Sequence, residues 1–241
     1  MNKLLIILAL IIQTFTISSC VTQVSILKSL STAKKSIVKI EAHIRPGTCA
    51  EEDETCKDYH LYATGSGAVV YYNHGKTILT AAHICKQNAY MLFGGVAEGE
   101  FLFKAIDRKN KEYIIKIIKY DIDSDICLLK STSSTLDMPY LRMSVKEPEY
   151  AEVVYNLAGP LGIINGEMVP NFRGTYFGLF GDKAFYGIPT IGGSSGSPIL
   201  NSRGELVGMI HSVHAHFHHI ALSVSHKNLW NFLMIPHSHT L

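Results

Sequence analysis

The sequence has little of what marks disordered, repetitive or nucleic-acid-binding proteins. Only 17% of its 241 residues are charged, the formal net charge is +2, and no low-complexity segment or internal repeat is present. Basic residues do not cluster with aromatic ones, so we expect no nucleic acid among the partners. The hydrophobic fraction of 47% is too high for a disordered chain and sufficient for one large domain or two small barrels.

A long hydrophobic run is missing as well. The apolar stretch Leu4–Ile12 has nine residues, whereas a helix that spans a bilayer needs about 20. Lys3 precedes this stretch and polar residues follow it, which is the pattern of a secretory signal peptide over residues 1–20. Ile17-Ser18-Ser19-Cys20 resembles the lipobox of bacterial lipoproteins. We therefore expect an exported cell-envelope protein that a lipid on Cys20 anchors to the membrane; the alternative is plain secretion.

Cysteine is sparse, with five residues in the chain. With Cys20 set aside, Cys49, Cys56, Cys85 and Cys127 remain, and four cysteines allow three pairings. Cys49 and Cys56 flank an acidic segment that a disulfide between them would close. Cys85 and Cys127 lie in apolar contexts, where either could be a buried free thiol. The sequence leaves the pairing open.

Most of the chain after residue 60 consists of short β-type runs separated by turn residues. Asn73-His74-Gly75 separates two such runs and predicts a hairpin. Residues 112–120 are rich in Ile and Tyr, as strands are. Near the C-terminus, Ser225 can cap a helix over about residues 226–234. Many short strands with one terminal helix predict an all-β sandwich or pair of barrels.

A stretch rich in Gly and Ser, IGGSSGSPIL at residues 191–200, contains two adjacent candidate nucleophiles. With Ser194 as the nucleophile it matches G-x-S-x-G, the nucleophile elbow of α/β-hydrolases. With Ser195 it matches G-x-S-G-x-P. The α/β-hydrolase order places an acid and then a histidine after the serine, but the one carboxylate side chain that follows is Glu205, close behind in the chain. A histidine and an aspartate are available upstream, so we expect Ser195 to be the nucleophile.

The upstream histidine and aspartate both adjoin predicted strands. In TILTAAHIC an apolar strand ends in two alanines and then His83, and the small side chains let the imidazole turn into a cleft. In DIDSDICLLK three aspartates compete, namely Asp121, Asp123 and Asp125. Asp125 directly precedes the apolar run, at a strand entrance where a carboxylate can hold an imidazole Nδ1–H in one tautomer. Asp125 is therefore predicted to orient His83.

Together these stretches resemble the trypsin-like serine peptidases of the chymotrypsin fold, nearest the HtrA/Deg type, over about residues 35–233. The resemblance implies two six-stranded antiparallel β-barrels, about residues 35–132 and 138–225. With the helix predicted after Ser225, they make up a peptidase domain of residues 21–241. The matching motifs are GSGAVV (65–70), TAAHIC (80–85), SDICLL (124–129), AGPLGI (158–163), GSSGSP (193–198) and GELVGM (204–209).

The resemblance also implies the roles of individual residues. His83 is expected to be the general base, Asp125 its orienting partner and Ser195 the nucleophile, with the N–H groups of Gly193 and Ser195 as the oxyanion hole. Proteins or peptides are the expected substrates, and no cofactor is expected. An inactive protease fold that serves as a binding module is an alternative, but the complete triad argues against it.

Three features depart from the family pattern. HtrA proteins carry a PDZ domain after the peptidase, whereas this sequence ends at Leu241, so we expect none. Ser194 stands where the digestive relatives have the acidic residue of their activation switch. Ile84 separates His83 from Cys85, so the usual disulfide of the digestive enzymes cannot be assumed.

The pocket for the substrate side chain is expected to be apolar. Pro189 and Thr190 are predicted at its base, where cleavage after Lys or Arg would need a carboxylate. Glutamyl endopeptidases place a histidine on the pocket wall. Here Ile210 has that position, and His211 follows one residue later, on the opposite face of a strand. We expect cleavage after small or medium uncharged residues; a glutamyl-type preference is the alternative if a bulge turns His211 into the pocket.

The segment HSVHAHFHH is rich in histidine. Neutral imidazoles bind Zn²⁺ or Cu²⁺, so a His-rich metal-handling lipoprotein is a further alternative function. No cysteine or carboxylate joins the cluster, which argues against a structural zinc site. We expect a polar hairpin rim and no metal site. The histidines are His211, His214, His216, His218 and His219.

Overall fold

The computed structural model describes residues 23–46, 58–85, 99–165, 168–214 and 217–235. The predicted signal peptide with Cys20, as well as Cys49, Cys56 and His216, lies outside the described residues. Within the described ranges, no helix has the length and apolar character needed to cross a membrane.

The first barrel follows an N-terminal helix. Residues 23–33 form helix α1, and a 3-10 turn at Lys34–Ser36 leads into the barrel. The barrel closes in the order β1-β2-β3-β6-β5-β4, with antiparallel neighbours. A four-residue helix, α2 (Ala82–Cys85), follows the third strand. The strands are β1 (Ile37–Pro46), β2 (His60–Tyr72), β3 (Gly75–Ala81), β4 (Gly99–Asp107), β5 (Glu112–Asp121) and β6 (Ile126–Ser131).

The second barrel also has six strands and precedes a C-terminal helix. It closes in the order β10-β11-β12-β9-β8-β7, again with antiparallel neighbours. Helix α3 (His226–Met234) begins after Ser225, whose side chain accepts a hydrogen bond from Asn228 N–H at 3.2 Å. The strands are β7 (Val153–Leu157), β8 (Asn171–Phe180), β9 (Lys183–Tyr186), β10 (Pro198–Leu200), β11 (Leu206–His214) and β12 (Phe217–Val224).

The predicted all-β fold of two six-stranded antiparallel barrels with a short C-terminal helix is confirmed. Asn73 and His74 form the two-residue turn between β2 and β3, and both have positive φ, which Asn tolerates better than most residues. Helix α3 follows the second barrel, yet Leu229, Phe232 and Leu233 belong to the same buried cluster as the first barrel's core. The helix therefore holds the two barrels together.

Candidate active site

His83 and Asp125 lie at adjacent strand ends of the first barrel. Strands β3 and β6 are paired with Ala81 opposite Ile126, so the residues after β3 meet those before β6. His83 Nδ1 lies 2.7 Å from Asp125 Oδ2, and the His83 backbone N–H donates to Asp125 Oδ1 at 2.8 Å. An ionised carboxylate only accepts hydrogen bonds, so the neutral imidazole carries its proton on Nδ1. The lone pair of Nε2 is then available to accept a proton.

The aspartates at the turn between β5 and β6 have different hydrogen-bond partners and different roles. Asp121 Oδ1 accepts hydrogen bonds from the N–H groups of Asp123 and Ser124, at 3.0 and 3.2 Å. Asp125 has a φ of +54°, and its carbonyl accepts from Ala82 N–H at 3.1 Å. Asp121 thus stabilises the turn, and Asp125 is the aspartate that the structure brings to His83.

The loop that carries Ser195 packs against the end of β3. Gly196 has a φ of +85°, in the region that favours glycine. A Cβ atom on Gly196 would lie 2.1 Å from Ser66 O and 2.2 Å from Thr80 Oγ1, so a side chain would prevent this approach. Ser195 O accepts from Ser66 N–H at 2.8 Å. Ser195 is therefore held beside the strand that leads to His83.

The two adjacent serines differ in accessibility. Ser194 is 1% exposed, whereas Ser195 is partly exposed. Ser194 N–H donates to Ile191 O, and Ser194 O accepts from Ser197 N–H, both at 3.0 Å. Ser194 is thus part of the turn, and Ser195 is the serine of the pair that a substrate can reach.

Two backbone N–H groups of the serine loop have no acceptor in the described parts of the chain. Among the described residues, no acceptor receives a hydrogen bond from Gly193 N–H or Ser195 N–H. Gly192 O accepts from Leu161 N–H at 2.8 Å, and a trans peptide directs the following N–H to the opposite side. Unpaired backbone donors beside a nucleophile are what an oxyanion hole requires.

His211 is a second histidine beside Asp125. Its Nδ1 lies 3.8 Å from Asp125 Oδ2, beyond hydrogen-bond distance, and its side chain is 10% exposed. Burial lowers the pKa of His211, and the nearby Asp125 carboxylate partly opposes that shift. His83, Asp125 and His211 line one cavity of about 380 Å³, together with Asp182 and Lys183.

A family model described as a trypsin-like peptidase domain matches residues 65–209, more than half of the chain. The chain belongs to the trypsin-like peptidase family. The crystal structure of the serine endoprotease from Yersinia pestis is similar in fold, with a TM-score of 0.62 at 15% sequence identity. That match covers 85% of this chain but 63% of the other, so this chain spans less than two thirds of the length of that protein. The resemblance to trypsin-like peptidases is thereby confirmed.

The residues predicted to form this trypsin-like peptidase's substrate pocket have different environments. Pro189 is exposed, whereas Thr190 is buried and its N–H donates to His218 O at 2.9 Å. Ile210 is 1% exposed and belongs to the core of the second barrel. A register shift between Ile210 and Ser212 marks a bulge at His211, yet the His211 ring lies beside Asp125. No described hydrogen bond or ion pair joins His211 to Pro189 or Thr190.

The histidine-rich hairpin of this peptidase shows no metal site in the part of the chain that the structure describes. There, no group of three or more His, Cys, Asp or Glu residues is arranged to hold a metal ion. The rings of His214 and Phe217 pack together with centroids 5.6 Å apart. His216, which completes the predicted cluster, lies outside the described residues.

Sequence reasoning missed two features of this peptidase site. Cys85 and Cys127 form a disulfide, a pairing that the sequence left open. Ser66 contacts the serine loop through its backbone and its side chain. The motif GSGAVV contains Ser66, but the residues that Ser66 contacts lie too far away in the chain to be identified from this motif.

Proposed function

We propose that this trypsin-like peptidase is a serine endopeptidase that uses His83, Asp125 and Ser195. The observation that carries the proposal is the 2.7 Å hydrogen bond between His83 Nδ1 and Asp125 Oδ2, next to the loop of the partly exposed Ser195. The fold of the Yersinia pestis serine endoprotease supports the same reaction class.

The reaction begins when Ser195 Oγ attacks the carbonyl carbon of the scissile peptide. His83 Nε2 accepts the hydroxyl proton, and Asp125 stabilises the resulting imidazolium. The negative charge that develops on the carbonyl oxygen is stabilised by hydrogen bonds from Gly193 N–H and Ser195 N–H. His83 then protonates the leaving amine, which leaves the acyl part of the substrate bonded to Ser195 Oγ. Water, deprotonated by His83, hydrolyses this ester and restores the hydroxyl.

The proposed substrates are proteins or peptides cleaved after small or medium uncharged residues. Pro189 and Thr190 supply no carboxylate to pair with a Lys or Arg side chain, and burying an unpaired cation is costly. His211 lies beside Asp125, which supports an apolar pocket over a glutamyl-type one.

Export with a lipid anchor at Cys20 is also part of the proposal. The N-terminal signal pattern and lipobox-like residues are its main support. The Cys85–Cys127 disulfide adds support, because disulfides form and persist in oxidising compartments.

Labelling with a fluorophosphonate probe tests the proposed mechanism, because the probe reacts with activated serines. We expect wild-type protein and Ser194→Ala to be labelled and Ser195→Ala to be unlabelled. Loss of a serine nucleophile lowers kcat on the order of 10⁶-fold, whereas Ser194→Ala should only weaken hydrolysis. Equal inactivation of both folded variants would reopen the assignment of the nucleophile. An unlabelled wild-type protein would favour the inactive binding module.

A further inference from the structure

We propose that Ser66 is a positioning residue that fixes the oxyanion-hole loop through its side-chain hydroxyl. The inference rests on the proposed function, because it assigns Ser66 a role in the chemistry of Ser195. Ser66 lies on β2, in the first barrel, and is 0% exposed. The loop that it contacts belongs to the second barrel, so Ser66 acts across the interface between the barrels.

All polar atoms of Ser66 are used within the described structure. Its N–H donates to Ser195 O at 2.8 Å, and its carbonyl accepts from Thr80 Oγ1 at 2.8 Å. Its hydroxyl donates to Gly193 O at 2.8 Å and accepts from Gly159 N–H at 2.9 Å. One buried residue thus joins β3, the segment after β7 and the serine loop.

The hydroxyl constrains the residue that supplies one of the two oxyanion donors. Gly193 has a φ of +89°, and glycine can leave that conformation at little steric cost. The peptide before Gly193 is held by the bond from Leu161 N–H to Gly192 O. The peptide after Gly193 is held by the bond from Ser66 Oγ to Gly193 O and by the bond from Ser194 N–H to Ile191 O. Fixing both peptides fixes the direction of Gly193 N–H.

Losing the Ser66 hydroxyl removes one of the two hydrogen bonds that hold the second of these peptides. Ser66→Ala also leaves the buried Gly159 N–H without its acceptor, so the segment beside Gly193 is disturbed as well. Removing one oxyanion donor costs about 10²- to 10³-fold in kcat. A displaced donor should cost less, so we expect Ser66→Ala to lower kcat by about 10- to 100-fold. KM should stay nearly unchanged, because the ground-state carbonyl depends less on these donors.

Ser223 provides a matched control for the loss of a buried hydroxyl. Ser223 is 0% exposed, and its hydroxyl accepts from Met209 N–H at 2.9 Å and donates to Val224 O at 2.8 Å. The bonding pattern is that of Ser66 Oγ, but it does not involve the serine loop. Ser223→Ala should therefore reproduce the loss of stability without the loss of kcat.

The deciding measurement uses three forms of the best-cleaved peptide from a library. The first is the substrate itself. The second is its C-terminal aldehyde, whose tetrahedral adduct with the enzyme places an oxyanion in the oxyanion hole. The third is an analogue with a reduced scissile bond, which has no carbonyl oxygen to occupy that hole. In Ser66→Ala, the Ki of the aldehyde should rise by the same factor by which kcat/KM falls, and the Kd of the reduced-bond analogue should stay unchanged. Ser223→Ala should change neither constant.

Each outcome is decisive for one of the two proposals. If wild-type protein neither cleaves peptides nor reacts with a fluorophosphonate, the proposed function fails. If wild-type protein is active and folded Ser66→Ala has the same kcat and aldehyde Ki, the role of Ser66 alone is refuted. Equal effects of Ser66→Ala and Ser223→Ala would also refute it. If Ser66→Ala fails to fold, the same constants are measured for Ser66→Cys, whose thiol is a weak hydrogen-bond donor.

Discussion

Cys85 is disulfide-bonded to Cys127, and these cysteines lie two residues after His83 and Asp125, respectively. The disulfide therefore joins the same two segments as the His83–Asp125 hydrogen bond. Both cysteines are buried, and their sequence separation is 42 residues. Closing a loop of this length restricts the unfolded chain, in addition to holding the candidate base and its partner together.

Replacing both cysteines, Cys85→Ala with Cys127→Ala, should lower the free energy of unfolding by about 2–4 kcal/mol, as the loss of a native disulfide usually does. Urea unfolding of the wild-type and double-variant proteins measures this change. A reductant should lower the urea midpoint of the wild-type protein and leave the double variant unaffected. An unchanged wild-type midpoint, with both thiols shown by alkylation to be reduced, would contradict the prediction.

Asp125→Asn should lower kcat on the order of 10⁴-fold, because an amide NH₂ facing Nδ1 favours the wrong tautomer of His83. Asp121→Asn keeps an acceptor for the turn at Oδ1 and should retain most activity, and so should Asp123→Asn. Steady-state hydrolysis of one peptide by the three variants compares them. A larger loss in Asp121→Asn or Asp123→Asn would mean that the wrong carboxylate has been assigned to His83.

Stability should depend on pH through His211. Burial is the largest cause and lowers the pKa of His211 below the ordinary 6.5. The positive charges of Lys183 and His83 lower this pKa further, whereas the carboxylates of Asp125 and Asp182 raise it. The unfolded chain therefore binds a proton at pH values where the folded protein does not. The contribution of His211 to stability is complete above about pH 6.5 and is lost as pH falls towards the folded-state pKa.

The variant His211→Gln should flatten the decrease in the free energy of unfolding between pH 7.5 and pH 5. Urea unfolding at several pH values in this range provides the measurement. His74→Asn, in the exposed turn between β2 and β3, is the control and should keep the wild-type slope. If His211→Gln keeps that slope too, His211 does not have a lowered pKa in the folded protein.

Digestion of a peptide library should give cuts mainly after Val, Ala, Leu or Thr, since an apolar pocket gains from burying such side chains. Mass spectrometry of the products identifies the cleaved bonds, and Ser195→Ala is the blank. A dominant cut after Glu would mean that His211 reaches the pocket despite its place beside Asp125. A dominant cut after Lys or Arg would mean that Pro189 and Thr190 do not form the pocket base.

Cys20→Ser should release the protein from membranes or leave it unprocessed, because the acylated cysteine is the proposed anchor. Several acyl chains anchor a protein stably, whereas one chain binds weakly and reversibly. Membrane fractionation and the intact mass of the mature protein test this. An unmodified N-terminus at another residue would replace the lipid anchor with plain secretion.

The fold and the order of the candidate triad could be predicted from local patterns. Short β-type runs bounded by turn residues predict strands, Asn73-His74-Gly75 predicts a hairpin, and Ser225 predicts a helix start, because each depends on neighbouring residues only. Chain order also distinguished Ser195 from Ser194, and position before an apolar run distinguished Asp125 from Asp121. The individual residues of the substrate pocket were harder to predict, because their positions depend on the bulge in β11 and on how this strand packs.

The sequence by itself determined an all-β fold, because short β-type runs and turn residues are local properties of the chain. The order of the motifs and their resemblance to trypsin-like peptidases indicated His83, Asp125 and Ser195 as candidates. Only the tertiary structure decided that Cys85 pairs with Cys127, that His211 lies beside Asp125, and that Ser66 holds the serine loop. These pairs are separated by 42, 86 and 127–129 residues. Contacts at such separations arise from barrel closure and from the packing of one barrel on the other, which no local pattern specifies.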